Sequence, residues 1–350
     1  MKNNKWLGYF LLSMAFIILG PLNFLQAASF DSLPYSHYTG ITYDSEGTTS
    51  ISLDLGRRAH CYPGTFYDAR AAKVIELEGE LNPGKRLKLI EQPETRKPAG
   101  WWQMERDTDS SALTGIRYNS FTQQTEVFMI APEFEYQVSI QSTREYYWHT
   151  RYPEFPLKTA SWKYINIYSQ NLFSNDSLEF FSGIREMSSD SVSAEIFDRG
   201  PFYYDTDSRV VHYSDDFISM VEVLYLYTGG AHGNTVYKSF TAQIQENGIK
   251  RVQLKEIFLP NSPWQKVLSS LVWKEVFERG GMTPRRGMAE VISADYLQAF
   301  TLSEVGLTFY FNPYILGPYA EGPYVVTIPL TVLEGTLNPQ GPASRFLPTP

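Results

Sequence analysis

A single histidine set among glycines is the place in this chain where side-chain chemistry is easiest to imagine. Residues Tyr227 to Asn234 read Tyr-Thr-Gly-Gly-Ala-His-Gly-Asn. His232 could act there as a base or a metal ligand, because imidazole changes charge near neutral pH. A zinc site needs more ligands. His212 and Asp215-Asp216 lie upstream, but no His-Glu-x-x-His spacing joins them. The architectural reading is stronger. His232 holds the turn through bonds to main chain, and Gly229, Gly230 and Gly233 supply dihedrals that side chains resist, in a turn that opens at Tyr227. No metal or cofactor is expected.

Nucleophilic chemistry has less to build on. There is no Gly-x-Ser-x-Gly elbow. Cys61 follows His60, but neighbours on a strand point to opposite faces. Neither the Walker lysine nor the dinucleotide glycine pattern is present. With 38 acidic residues, pairs of carboxylates can be drawn almost anywhere and carry no information.

The loop from Asn312 to Pro323 suits binding better. Proline removes ordering entropy in advance, and tyrosine adds contact area with a hydroxyl. Pro313, Tyr314, Pro318 and Tyr319 are the candidates, and the same residues could equally fold the loop onto a sheet. Trp101-Trp102 and Tyr146-Tyr147-Trp148 could stack on sugars. Adjacent aromatics on a strand more often send one ring to the core and one to the surface.

The bulk numbers narrow the classes. Of 350 residues, 43% are apolar and 19% charged, and 24 Tyr, 22 Phe and 7 Trp tilt the fold towards strands. The formal charge is −8, which disfavours nucleic acid and anionic lipid and favours basic partners. Cys61 is the only cysteine, so no disulfide within the chain and no cysteine-based metal site is possible. Residues 1–27 read as an export signal: Lys2 and Lys5, an apolar run from Trp6 to Leu19, the Gly20-Pro21 break, and small Ala27 and Ala28. An uncleaved anchor is the alternative, and the only route to a membrane. Cleavage would remove both lysines and leave a charge of −10 (28 basic, 38 acidic). The protein is therefore expected to be periplasmic or secreted.

The elements that must hold these residues form an α+β chain in two parts. Residues 28–130 read as short strands and turns, among them Ile51 to Leu55, Val74 to Leu81, Arg86 to Ile90 and Glu126 to Ile130. A small antiparallel barrel or curled sheet would hide their edges. A boundary is expected at Ala131-Pro132. Residues 131–337 read as an antiparallel sheet with two main helices. The first covers Ala160 to Arg185, with an interruption at Ser174 to Ser177. The second covers Trp264 to Arg279, opened by Pro263 and ended by Gly280-Gly281. Strands are expected at Ser191 to Phe197, Arg209 to Tyr213, Ile218 to Tyr227 and Val236 to Ile244. Leu307 to Phe311 and Tyr324 to Ile328 flank the tyrosine loop. Residues 338–350 read as a flexible tail.

Several motifs in the second part carry a resemblance. They are Tyr152-Pro153, Ile165-Asn166, Tyr227 to Gly233, Leu254-Lys-Glu-Ile-Phe258, Phe300-Thr-Leu-Ser303, Gly306 to Tyr314 and Gly317-Pro-Tyr-Ala320. In order and spacing they resemble the extracellular domain shared by the anti-sigma factor RsiV and the deacetylase PdaC. The resemblance implies the fold. It also implies two settings: a receptor that binds lysozyme, and a companion to a cell-wall deacetylase. The chain shows neither the sigma-binding segment nor the deacetylase domain, so those two activities are not expected to transfer. The reading is an exported envelope binding module without catalysis. Its ligand would be a basic protein such as a lysozyme, or a cell-wall glycan such as a peptidoglycan fragment. The alternative is a metal-dependent envelope-polymer hydrolase centred on His232.

Overall fold

Eight strands, β1 (Ser36–Asp44), β2 (Gly47–Leu55), β3 (Gly64–Asp68), β4 (Lys73–Leu81), β5 (Leu87–Glu91), β6 (Trp101–Arg106), β7 (Leu113–Asn119) and β8 (Gln124–Ser142), pair in sequence order. Every pairing is antiparallel, and β8 returns to β1 and closes a barrel. The computed structural model describes residues 30, 33–45, 47–57, 61–68, 73–82, 86–92, 100–120, 122–172, 174–188 and 201–347. Closure follows from period-two patterning, since β5 reads buried and exposed in strict alternation. Leu53, Phe66, Leu77, Leu89, Trp102 and Phe128 fill the interior. Trp102 is buried and Trp101 half-buried, one ring to each face.

The barrel also buries charge. The Arg117 guanidinium donates to Glu91 at 2.8 Å and to Glu126 at 3.3 Å. Glu126 also accepts from the Asn119 amide at 2.9 Å, and Glu91 accepts from the Trp102 indole at 3.0 Å. Arg117 lies over the Phe66 ring at 4.4 Å.

Strand β8 runs unbroken through Ala131 and Pro132, so one continuous strand, not a linker, joins the two parts. Proline is tolerated because a bulge falls beside it: His37 pairs with Phe134 and Tyr38 with Pro132, leaving Glu133 extra. The far half of β8 pairs with β9 (Tyr146–Glu154). Helices α1 (Ala160–Asn171) and α2 (Ser174–Ser188) follow and lead to β10 (Phe202–Ser214), which lies parallel to β9. This parallel pair departs from the expected antiparallel sheet, and the helical crossover is what permits it. Antiparallel β11 (Phe217–Tyr227), β12 (Asn234–Gln245) and β13 (Gly248–Arg251) complete the sheet. Helix α1 packs by Trp162, Ile165 and Ser169, one stripe at helical spacing. The expected strand at Ser191 to Phe197 lies outside the described residues.

A three-stranded sheet, β14 (Phe300–Ser303), β15 (Gly306–Phe311) and β16 (Tyr324–Ile328), packs with α3 (Trp264–Glu278) around Leu268, Val272, Leu307 and Phe309. Gly280, at φ 95°, ends α3. Hydroxyls bind the small sheet to the large one: Leu302 N–H donates to Ser219 Oγ at 2.8 Å and Phe300 N–H to Ser239 Oγ at 2.9 Å. The fold is α+β, a barrel followed by a sheet with two main helical regions. The expected flexible tail is corrected as far as residue 347. Ala343 is fully buried, Phe346 packs edge-on to His212 and Phe217, and Arg345 makes two bonds to Asp216 at 2.9 and 3.2 Å. Proline and glycine shape this segment's turns but do not keep it off the core.

Candidate functional site

The glycine-histidine turn and the tyrosine loop meet at one corner, where Tyr319 reaches Gly233, 86 residues earlier in sequence. Strand β11 delivers Tyr227, and its hydroxyl donates to the Gly230 carbonyl at 3.3 Å. Gly229 and Gly230 hold φ of 91° and 95°, the region closed to most side chains. Gly233 lets a neighbouring side chain come close. It has no positive φ, but a Cβ there would lie 2.4 Å from the Tyr225 ring. The expected unusual dihedral at Gly233 is thus replaced by close approach of a neighbouring side chain.

His232 is exposed, and its Nδ1–H donates to the Gly233 carbonyl at 3.0 Å. Tyr319 stacks on the imidazole at 3.6 Å and 18°, and its hydroxyl donates to the same carbonyl. Tyr314 packs 5.6 Å from Tyr319 and is 67% exposed. Pro318 is exposed, whereas Pro313 is buried and cannot meet a ligand. Asn312 accepts from the Tyr237 N–H at 2.9 Å and pins the loop to β12. Glu321 braces its far side, accepting from the Met282 N–H at 3.0 Å and the Tyr324 hydroxyl at 2.6 Å.

This geometry gives the imidazole a structural task. One nitrogen is bonded to main chain, and a tyrosine covers one ring face. His212, Asp215 and Asp216 serve elsewhere, bound to Glu304, Lys158 and Arg345. Among the described residues no group of three His, Cys, Asp or Glu side chains is placed to hold a metal. Cys61 is half-buried.

Sequence reading missed two polar clusters on the large sheet. On one face a cleft of about 420 Å³ contains His149, Arg151, Asp205, Asp207, Arg209 and, from the barrel, Glu76. His149 bonds Asp205 at 2.7 Å, and Arg209 bridges Glu76 at 2.6 Å and Asp207 at 3.2 Å. Arg151 pairs with Asp207 and lies 3.8 Å over the Tyr35 ring. The alternation Asp205-x-Asp207-x-Arg209 puts three charges on one strand face and was the available signal. On the opposite face Glu222 is wholly buried beneath α1. Ser169 Oγ donates to it at 2.9 Å, and Ser208 Oγ donates to its other oxygen. Burial pushes its pKa up to about 8, outweighing the two serine bonds that lower it.

The motif resemblance holds when compared with known families. Residues 132–235 match the family described as deacetylase PdaC, and residues 255–331 match a protein family of unknown function, DUF3298. These stretches contain nearly all the motifs quoted above. Among curated proteins, peptidoglycan-N-acetylmuramic acid deacetylase PdaC of Bacillus subtilis (strain 168) is 23% identical over 137 residues. That match takes in 38% of this chain and 29% of the deacetylase. Two solved structures of DUF3298 proteins align with 59% of the chain. One, from Bacteroides fragilis, is 19% identical with 93% of its own chain covered and a TM-score of 0.42. The other, from Pseudomonas aeruginosa PAO1, is 16% identical with 94% covered and a TM-score of 0.34.

Proposed function

We propose that this chain is an exported binding module of the cell envelope. The corner of Tyr314, Tyr319 and His232 is the face it offers to a basic protein such as a lysozyme. The observation that carries this reading is Tyr314, a bulky residue at φ 72° that is 67% exposed. A non-glycine residue in that region costs roughly 1–2 kcal/mol, and such strain concentrates where a loop is shaped for recognition. Stacking and the shared bonds to Gly233 hold the corner rigid before any ligand arrives, which lowers the entropy cost of binding. The formal charge of −8 favours encounter with a cationic protein. Export is supported by the composition of residues 1–27, which lie outside the described residues. An envelope setting is supported by the likeness to a protein named as a peptidoglycan deacetylase.

His232 makes no bonds with substrate in this reading. Metal-dependent hydrolysis there is opposed by the bond from Nδ1 to Gly233 and by the Tyr319 ring lying over the imidazole. Calorimetric titration with lysozyme at low and high salt tests the proposal. The expected result is saturable binding that weakens as salt rises. Flat traces at both salts would retire lysozyme as the target, and a positive titration with peptidoglycan fragments would move the assignment to a glycan.

A further inference from the structure

Elsewhere the fold assembles what the sequence motifs do not announce, a hydrogen-bonded serine, histidine and aspartate at the floor of a groove. His37 on β1 stands directly opposite Asp54 on β2, and Ser52 shares Asp54's face two residues earlier. Ser52 Oγ lies 3.0 Å from His37 Nε2, and His37 Nδ1 lies 2.7 Å from Asp54 Oδ1. The carboxylate accepts the Nδ1 proton, which leaves Nε2 free to take the proton of Ser52. Asp54 is fully buried and also accepts from the hydroxyls of Tyr67 and Tyr136, each at 2.9 Å. Burial first, and the Asp54 charge after it, hold both phenols well above their ordinary range, so they remain donors. The His37 ring stacks on Phe134 at 4.8 Å and 9°, which fixes its plane.

Ser52 is half-buried and opens onto a groove of about 510 Å³ between the barrel's outer wall and the second sheet. Val211, the extra residue of a bulge in β10, forms part of the opposite wall, and His212 follows it. His212 bonds Glu304 at 2.9 Å. Burial would raise the Glu304 pKa, but the His212 bond and charge overcome it and hold the carboxyl below its usual value. Packing alone does not call for this arrangement, since apolar residues of similar volume often replace a buried ionic cluster without loss of stability.

We propose that this groove is a hydrolytic site for small carboxylic esters, with Ser52 as nucleophile, His37 as general base and Asp54 as the residue that positions His37. Ser52 Oγ bonds to the carbonyl carbon while its proton passes to His37 Nε2. The carbonyl oxygen takes the negative charge. Ser50, on the same strand face, and His212, held by Glu304, are among the side chains lining the groove that can donate to it. Collapse breaks the acyl C–O bond, and His37 returns the proton to the departing alkoxide. Water, deprotonated by His37, then attacks the acyl–Ser52 ester; the acyl–Oγ bond breaks, His37 returns the proton to Ser52 Oγ, and the acid is released. Esters suit these side-chain donors better than amides, because an amine is a poorer leaving group and demands more oxyanion support.

The test uses the full chain with p-nitrophenyl acetate and, separately, a fluorophosphonate probe. Expected are turnover above buffer and one covalent adduct, which mass spectrometry of a digest assigns to Ser52. That assignment is made on the unaltered protein and does not depend on any variant folding. Ser52→Ala should lose both signals, and His37→Gln should lower turnover about 10²–10⁴-fold. Asp54→Asn should shift the pH profile of turnover as well as its height, which loss of packing alone would not do. The adduct on Ser52 is read without any ligand of the Tyr314 corner, so failure here is separable from failure of the binding face. No adduct, an adduct on another residue, or equal turnover in Ser52→Ala would overturn the proposal.

Discussion

Replacing Glu222 with glutamine should remove a large part of the protein's alkaline instability. The carboxyl is wholly buried between β11 and α1, and its pKa stands at about 8 against an ordinary 4.5. Between those values the folded state keeps a proton that the unfolded chain has released. Stability from this group is therefore complete below about pH 4.5 and is lost as pH rises through 8. The loss over the whole window is roughly 5 kcal/mol, of which roughly 3–4 kcal/mol falls between pH 5 and 8. Glutamine keeps the shape and the acceptor oxygen facing Ser169 but cannot ionise. Urea unfolding followed by tryptophan fluorescence at pH 5 and pH 8, for both proteins, reads the difference. The drop from pH 5 to pH 8 should be smaller in Glu222→Gln by roughly 3–4 kcal/mol. Equal drops in the two proteins would mean that Glu222 is ionised in the fold, and the burial argument would fail.

Other substitutions probe the remaining structure. Gly233→Ala should destabilise by no more than about 1 kcal/mol in thermal melts, because the new Cβ meets only the tip of the Tyr225 ring, at 2.4 Å, and that ring is exposed enough to turn aside. Arg117→Ala should cost about 3–5 kcal/mol in denaturant titrations, since Glu91 and Glu126 would stay buried without their cation. In the C-terminal segment, Ala343→Glu should destabilise strongly by placing a charge at a fully buried position, whereas Arg345→Ala should cost less than about 1 kcal/mol because its pair with Asp216 is open to solvent. A melt in which Arg345→Ala is the worse of the two would contradict that packing.

Local pattern carried much of the fold. Alternation in Arg86 to Ile90 and the helical reading of Ala160 to Arg185, interrupted at Ser174 to Ser177, are short-range signals, and a strand and two helices formed there. The parallel pairing of β9 with β10 was not legible, because strand direction depends on where the helical crossover returns the chain. Nor was the packing of Ala343 and Phe346, since proline and glycine report local geometry and not what a segment covers. The glycine-histidine turn and tyrosine loop were visible as separate features, but their stacking is a long-range contact that spacing cannot encode. Ser52, His37 and Asp54 were invisible for a similar reason. They become neighbours only through the register of β1 with β2, and no nucleophile elbow marks that register.

The central claim is that the Tyr314 corner exists to bind and not to stabilise the fold. Parallel calorimetric titrations of the protein and of Tyr314→Gly with lysozyme, together with thermal melts of both, test it most directly. Glycine relieves the strain at φ 72° and deletes the exposed ring. The variant should therefore melt no lower than the parent while losing most of its affinity. A variant that melts lower and binds as tightly as before would contradict the claim.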